Sequence, residues 1–190
     1  MGGKRLAWKL AMALAHVIRT VSVDLAHVDR GVYETFQLTV AQHPSESDDH
    51  LAGRLLAYCL EHREGIEFSR GVSSTEEPAI MVRDLTGRIT HWIEMGTPAA
   101  ERLHKAGKAV DRVAVYFHRP PGPYLAQLAG ERIHRAEAIE FHQLDRTLVT
   151  ELAARLDRRM TLEVSLNEGQ LFVTLNGRSH EGRVESRAIG

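Results

Sequence analysis

Two acids about ten residues apart, Asp84 and Glu94, flank a Gly87 turn and the segment Arg88-Ile-Thr-His-Trp-Ile-Glu94. Carboxylates on adjoining chain segments can converge on one ion even when their separation in sequence is large. Magnesium takes hard oxygen ligands and keeps several waters, so two carboxylates and a backbone carbonyl suffice to hold it. The carbonyl of Met95, next to Glu94, is the natural third ligand. Lys105, in the following Arg102-Leu-His-Lys105-Ala106 run, can polarise an attacking water or offset charge developing on a phosphate. That is the chemistry of a metal-dependent hydrolase. Glu46 is a further acid able to approach the same centre from across the fold.

Each acid also has a structural reading. Asp84 suits the first position of a β-turn, and Glu94 can pair with Arg102 or a lysine of the next helix. Glu46, Asp48 and Asp49 suit a helix N-terminus, where unpaired amides stabilise negative charge. Spacing leaves both readings open. The basic runs Arg102/Lys105/Lys108/Arg112 and Arg155/Arg158/Arg159 have acids nearby and read as solvated faces. Their functional alternative is a phosphate-contacting surface, with Arg102 and Lys108 as its candidates.

Other chemistries find no pattern. The 11 histidines form neither a His-Glu-x-x-His helix nor a His and Cys ligand spacing, and are expected to scatter over surfaces and edges. No Gly-x-Ser-x-Gly elbow or phosphate-binding glycine loop is present, which argues against a serine hydrolase or a nucleoside triphosphatase. Cys59 is the single cysteine, so an intramolecular disulfide is excluded, and its apolar setting predicts a buried, inert thiol.

The elements that must position these residues are legible in places. Apolar residues of one parity at Val17 to Leu25 and alternation from Val32 to Val40 predict two strands, and His27 to Gly31 between them predicts an antiparallel hairpin. Ser45 is the expected cap of a helix reaching about Arg63, followed by short strands at Ile66 to Phe68 and Ile80 to Val82, with a loop from Val72 to Pro78. A strand from Arg88 to Glu94 leads to a helix with Thr97 as cap and Pro98 at its first position, then to a buried strand at Val113 to Tyr116. Such a βαβ unit makes its strands parallel. A short helix at Tyr124 to Leu128, a strand near Ala138 to His142 and a helix from Asp145 to about Arg158 follow. The chain ends in strands at Met160 to Leu166, Leu171 to Leu175 and beyond the Asn176-Gly177 turn.

With 190 residues and 43% hydrophobic content, the chain fits one buried core, and no repeat or linker divides it. Basic and acidic residues nearly cancel, 24 against 25, so nucleic-acid affinity requires a local patch. Lys4 and Arg5 followed by Leu6 to Ala15 imitate a short leader, but Lys9 interrupts the apolar run. No run approaches the roughly 20 apolar residues that span a bilayer, so a cytoplasmic protein without a membrane segment is expected.

The segments His43-Pro-Ser-Glu46, Arg54-Leu-Leu-Ala57, Phe68-Ser-Arg70-Gly71, Glu77-Pro78, Asp84 to Gly87, Trp92-Ile-Glu94-x-Gly96-x-Pro98, Arg102-x-x-Lys105-Ala106 and Asp157-Arg-x-Met160-Thr occur in this order. They resemble the YaeQ family of small bacterial proteins. The resemblance runs from about Met12 to about Gly177, so residues 1–11 read as an added or upstream-translated extension and 12–190 as a single domain. It implies an α/β fold, a variant of the PD-(D/E)XK nuclease-like fold: a central mixed β-sheet flanked by helices, with extra strands from both ends of the chain. In that superfamily an Asp and a Glu bind Mg2+, and a lysine two residues after the Glu assists the water. Gly96 stands at that lysine position here, so the resemblance makes Lys105, within its Arg-x-x-Lys-Ala segment, the replacement base. Fold does not decide function. The resemblance therefore supports two expectations, a magnesium-dependent phosphodiesterase acting on nucleic acid and a non-catalytic binding or regulatory protein that kept the fold.

Overall fold

The computed structural model describes residues 16–69 and 77–189. Residues 1–11, expected from the sequence to be an extension, and the centre of the Ser/Thr/Glu loop lie outside the described residues.

The alternating segments form a hairpin, β1 (Val17–His27) and β2 (Val32–Gln42), in antiparallel register from Val17↔Gln42 to His27↔Val32. A 3₁₀ turn over Val28–Arg30 and a left-handed Gly31, φ 64°, reverse the chain. Helix α1 (Asp48–Glu61) is capped by Ser47 rather than Ser45: the Ser47 hydroxyl accepts from the His50 amide at 3.2 Å. The Ser45 hydroxyl instead lies 2.6 Å from His43 Nδ1, which places Glu46 just ahead of the cap. Strands β3 (Ile66–Phe68), β4 (Ile80–Arg83) and β5 (Ile89–Met95) make an antiparallel meander.

Helix α2 (Ala100–Ala109) and β6 (Arg112–Phe117) complete the expected parallel βαβ unit with β5. The helix begins at Ala100, later than the Thr97 and Pro98 signals suggest, because the Pro98 carbonyl accepts from the Tyr124 hydroxyl at 2.7 Å and Ala99 is extended. Helix α3 (Gly122–Leu128), β7 (Glu140–Leu144) and α4 (Arg146–Ala153) follow, α4 being capped by Asp145 Oδ1 on the Leu148 amide at 2.9 Å. Strands β8 (Arg159–Asn167), β9 (Gln170–Leu175) and β10 (Arg178–Arg187) end the chain.

The ten strands of the described residues join one mixed sheet in the order β2-β1-β8-β9-β10-β7-β6-β5-β4-β3. β8 pairs in parallel with β1, and β10 pairs with β9 over its first half and β7 over its second, so the terminal strands are spliced onto the β3 to β7 unit. The sheet is nearly closed: edge residues Leu38 and Thr39 of β2 and Ile66 and Phe68 of β3 line a common cleft with Tyr58.

The curl encloses α1. Its residues 51–61 are all buried, on every side, as expected for a helix that is apolar nearly all round. Leu51, Leu55, Leu56 and Cys59 of α1 pack with Leu148, Val149 and Leu152 of α4 and the inward residues Val21, Val23, Ile93, Ala114, Val164 and Val173. On the convex side α2 and α3 form a second cluster in which Leu103, Ala106, Leu125 and Leu128 cover Trp92, Val113, Val115, Phe117 and Phe141. Each fully buried aliphatic or aromatic side chain contributes about 1.5–3 kcal/mol. Strand parity therefore sends Ile93 and Met95 inward to α1, and Trp92 and Glu94 outward to α2. The Cys59 thiol is fully buried, and burial pushes its pKa up to about 12.

Candidate functional site

The C-terminal ends of parallel β5 and β6 lie beside the N-terminal end of α1, the place where open α/β sheets usually bind ligands. Two polar constellations meet this edge from opposite faces of the sheet.

On the outer face, Glu94 Oε1 accepts from Trp92 Nε1 at 2.6 Å and from Arg102 Nε at 2.5 Å, and the Ala79 amide also donates to the carboxylate. Arg102 Nη2 donates to the Glu77 carbonyl at 2.6 Å, while the guanidinium carbon lies 5.2 Å from the Trp92 ring centroid. Burial raises the Glu94 carboxyl above its ordinary 4.5, with Arg102 and Trp92 pulling against that shift.

On the inner face, Glu46 is almost fully buried and divides its two oxygens between His50 Nδ1 at 2.8 Å and Arg54 Nη2 at 2.9 Å. His50 Nε2 lies 3.2 Å from the Met95 carbonyl. Carboxylate and carbonyl are both acceptors, so the His50 ring bridges two acceptor oxygens. His118, at the end of β6, meets His50 edge-on with ring centroids 6.2 Å apart, and its buried Nδ1 has no hydrogen-bond partner among the described residues. Burial, then the positive charges of His50 and Arg119, hold the His118 pKa below 6.5, with Arg146 adding to the effect and Asp49 opposing it. Arg119 and Arg146 are exposed. The mouth of α1 thus carries Arg119 and Arg146 together with the acids Asp48 and Asp49 of its first turn.

The expected metal centre does not assemble. Asp84 belongs to the β4–β5 turn: its Oδ1 accepts from the Thr86 amide at 2.9 Å, the Thr86 hydroxyl at 2.6 Å and the Arg88 amide at 3.1 Å. Those bonds, the hydroxyl first, lower its pKa below 3.8. Asp84 sits beside Arg88, ahead of the first residue of β5, whereas Glu94 is near the last. A rise of about 3.3 Å per residue puts Glu94 about 17 Å from Ile89, and a shared magnesium needs both oxygens within about 2.1 Å. Glu46 and the Met95 carbonyl are brought together, but with His50 bridging them. Glu94 and Glu46 face opposite sides of the sheet and are already engaged by cationic side chains. Lys105 is exposed one turn beyond Arg102. Among the described residues no three of His, Cys, Asp and Glu are grouped to hold a metal ion. The set Asp84, Glu94, Glu46 and Met95 carbonyl therefore does not fit Mg2+ in this geometry.

The phosphate candidates Arg102 and Lys108 both lie on α2. Arg102 commits Nε and Nη2 to Glu94 and Glu77, and Lys108 lies exposed in the last turn of α2, about 9 Å along the helix from it at roughly 1.5 Å per residue. Arg112 is not part of a solvated helix face, since it leads β6 and binds both Glu61 and Glu140.

The profile of the YaeQ protein family matches residues 12–184. The chain belongs to the YaeQ family. Family relatives described as uncharacterized protein YaeQ include one from Salmonella typhi, 30% identical over 168 residues that cover 86% of this chain and 91% of the relative. Another from Escherichia coli strain K12 is 29% identical over the same shares. The crystal structure of YaeQ protein from Pseudomonas syringae superimposes with a TM-score of 0.81 at 28% identity, covering 90% of this chain and 95% of that one. That from Xanthomonas axonopodis pv. citri gives 0.82 at 29% identity, covering 93% and 100%. The ten-stranded α/β architecture is thus the family's own. No helix among the described residues is long and apolar enough to cross a membrane.

Sequence reasoning missed His50, Arg54 and His118, and treated the histidines as scattered. One signal was present. Arg54 and Glu61 are charges seven residues apart in a helix otherwise apolar around its circumference, which requires buried, paired partners. The meeting of His50 with His118 had no local signal, because one opens α1 and the other follows β6.

Proposed function

We propose that the chain is a non-catalytic nucleic-acid-binding protein that retains a PD-(D/E)XK nuclease-like sheet and presents the N-terminal mouth of α1 to a phosphate backbone. One observation carries this reading: arginines of the chain itself hold the two buried acids at this edge, Arg102 on Glu94 and Arg54 on Glu46, with the His50 ring also on Glu46. Exposed Arg119 and Arg146 stand near His118 at that edge and are the groups offered to phosphates, with Asp48 and Asp49 of the first turn limiting the patch. With a net charge of −1, the footprint is a local patch of few phosphates.

The test is fluorescence anisotropy with short single-stranded and duplex oligonucleotides over a salt series. The wild type binds, and Arg119→Gln/Arg146→Gln weakens binding about tenfold or more and reduces the magnitude of the salt slope by about 1–2. Absence of salt-dependent binding by the folded wild type overturns the proposal. A cleavage assay with Mg2+ and Mn2+ on the same samples decides the enzymatic alternative: turnover abolished by Glu94→Gln would restore a hydrolytic role.

A further inference from the structure

The opposite end of α1 opens on a cavity of about 160 Å3, separate from the rim just described. Its walls include His27, Arg30, Arg63, Arg112, Tyr116 and His142. These come from the end of β1, the turn after it, the segment after α1, β6 and β7, so only the closed sheet brings them together.

The charges in this wall do not balance. Arg112 is fully engaged: Nη1 and Nη2 donate to the Glu61 carboxylate at 2.5 and 3.0 Å, and Nε and Nη2 donate to Glu140 at 2.7 and 2.5 Å. The Tyr116 hydroxyl also donates to Glu61, at 2.7 Å. Among the described residues Arg30 donates only to neutral oxygens, the Leu60 and His62 carbonyls at 2.8 and 2.9 Å, which fixes it at the C-terminal end of α1. Arg63 donates through Nε to the Glu61 carbonyl at 3.1 Å and through Nη1 to His91 Nε2 at 2.7 Å, and its Nη2 reaches the Glu61 carboxylate only at 3.4 Å. Arg30, Arg63 and Arg112 therefore line the cavity with the carboxylate of Glu61, while Glu140, bound to Arg112, and Asp29, near His27, add negative charge from outside the lining.

His27 is 6% exposed and lines the same cavity, yet its Nδ1 has no hydrogen-bond partner among the described residues. A buried polar nitrogen left in that condition asks for a ligand or water to complete it. A planar carboxylate presents two oxygens on one side, whereas these donors approach from several walls.

We propose that the cavity binds a small tetrahedral oxyanion of the phosphate class, held by Arg63 and Arg30 beside the buried His27 ring. Positive crowding agrees with this assignment. Burial and then Arg30 hold the His27 pKa below 6.5 against Asp29 and Glu61, and burial followed by Arg63 and Arg112 does the same to His91 against Glu61 and Asp111. An anion in the cavity relieves both. The site is independent of nucleic-acid binding at the other mouth.

Isothermal titration calorimetry of the full chain with inorganic phosphate, at constant ionic strength, tests it. Saturable binding is expected, weakened about tenfold or more in Arg63→Gln and unchanged in Lys108→Gln, since a hydrogen bond to a charged group carries about that factor. A parallel titration with glycerol phosphate separates the two sources of the ligand: binding of phosphate alone assigns the free anion, and binding of both assigns a monoester head. Because Arg63 also touches Glu61, His27→Leu is the second variant, and it must weaken phosphate binding without disturbing the Glu61 network. NMR of the imidazole groups places the ligand, with His27 and His142 signals moving on saturation while those of His50 and His118 stay fixed. No saturable phosphate binding by the folded wild type, undiminished binding in both variants, or signal changes confined to His50 and His118 would overturn the proposal.

Discussion

Glu46 and Arg54 form an ion pair of 2.9 Å in which each side chain is 2% exposed, at the entrance of the enclosed helix. Arg54 also donates to the Ala41 carbonyl at 2.9 Å and lies over the Phe68 ring, so the pair ties the end of β2 to α1 and to β3. Burial lowers the Arg54 pKa, with Glu46 opposing the shift. Removing one partner leaves a charge in the core. Arg54→Met and Glu46→Gln are each expected to lose about 3–5 kcal/mol of folding stability in urea titration, with the double variant closer to the wild type. Single-variant losses under about 1 kcal/mol would show that water reaches the pair.

Arg102→Met tests the outer-face constellation through its pH dependence. Burial already raises the Glu94 carboxyl above its unfolded value of 4.5. A raised carboxyl favours folding below the unfolded value and loses that contribution as pH rises through the folded one. Without Arg102 the folded value climbs further. The variant is therefore expected to lose about 2 kcal/mol near pH 8 and distinctly less near pH 5. Equal losses at both pH values would mean that Arg102 acts by packing on Trp92.

The other end of α1 has the opposite sign. Burial alone would raise Glu61, but Arg112 and Tyr116 outweigh it and hold the carboxyl below 4.5. Arg112 likewise lowers Glu140. Lowered carboxyls stabilise the fold above the unfolded value, and that contribution disappears as pH falls through the folded one. The wild-type urea midpoint is expected to fall as pH drops below about 4.5, and Arg112→Met should flatten this limb while costing about 3–5 kcal/mol at pH 7. An unchanged acid limb in the variant would assign it to other carboxylates.

Gly107 lets α2 approach the loop before β7. A Cβ there would sit 2.5 Å from the His134 carbonyl oxygen, a backbone atom with little freedom to retreat. An alanine inside a helix normally gains up to about 1 kcal/mol over glycine. Gly107→Ala is nevertheless expected to lose about 1–3 kcal/mol, because the close contact overpacks the layer containing Trp92 and Leu103. Thermal unfolding followed by tryptophan fluorescence measures it, and a rise in Tm would show that the loop moves aside.

The sequence by itself determined the local elements. Alternation in Val17 to Leu25 and Val32 to Val40 specified a hairpin, the apolar circumference of Leu51 to Leu60 specified a core helix, and Asn176-Gly177 specified a turn. Periods of 2 and 3.6 residues are properties of neighbours along the chain, so they survive without tertiary context. The helix cap was already less certain in kind. Ser45 and Ser47 both suit it chemically, and the Ser45 hydroxyl is diverted to His43.

Only the tertiary structure decided which charges meet. Asp84 and Glu94 are near in sequence, but an extended strand carries successive residues away at about 3.3 Å each, so a turn acid and a strand-end acid finish at opposite ends of β5. Glu61 and Arg112 are 51 residues apart and touch because β6 runs past the end of α1 inside the curled sheet. That curl depends on the pairing of β1 with β8 and of β10 with β7, chosen because it buries α1 on every side. Burial of a whole surface is a collective property, and no short run of residues encodes it.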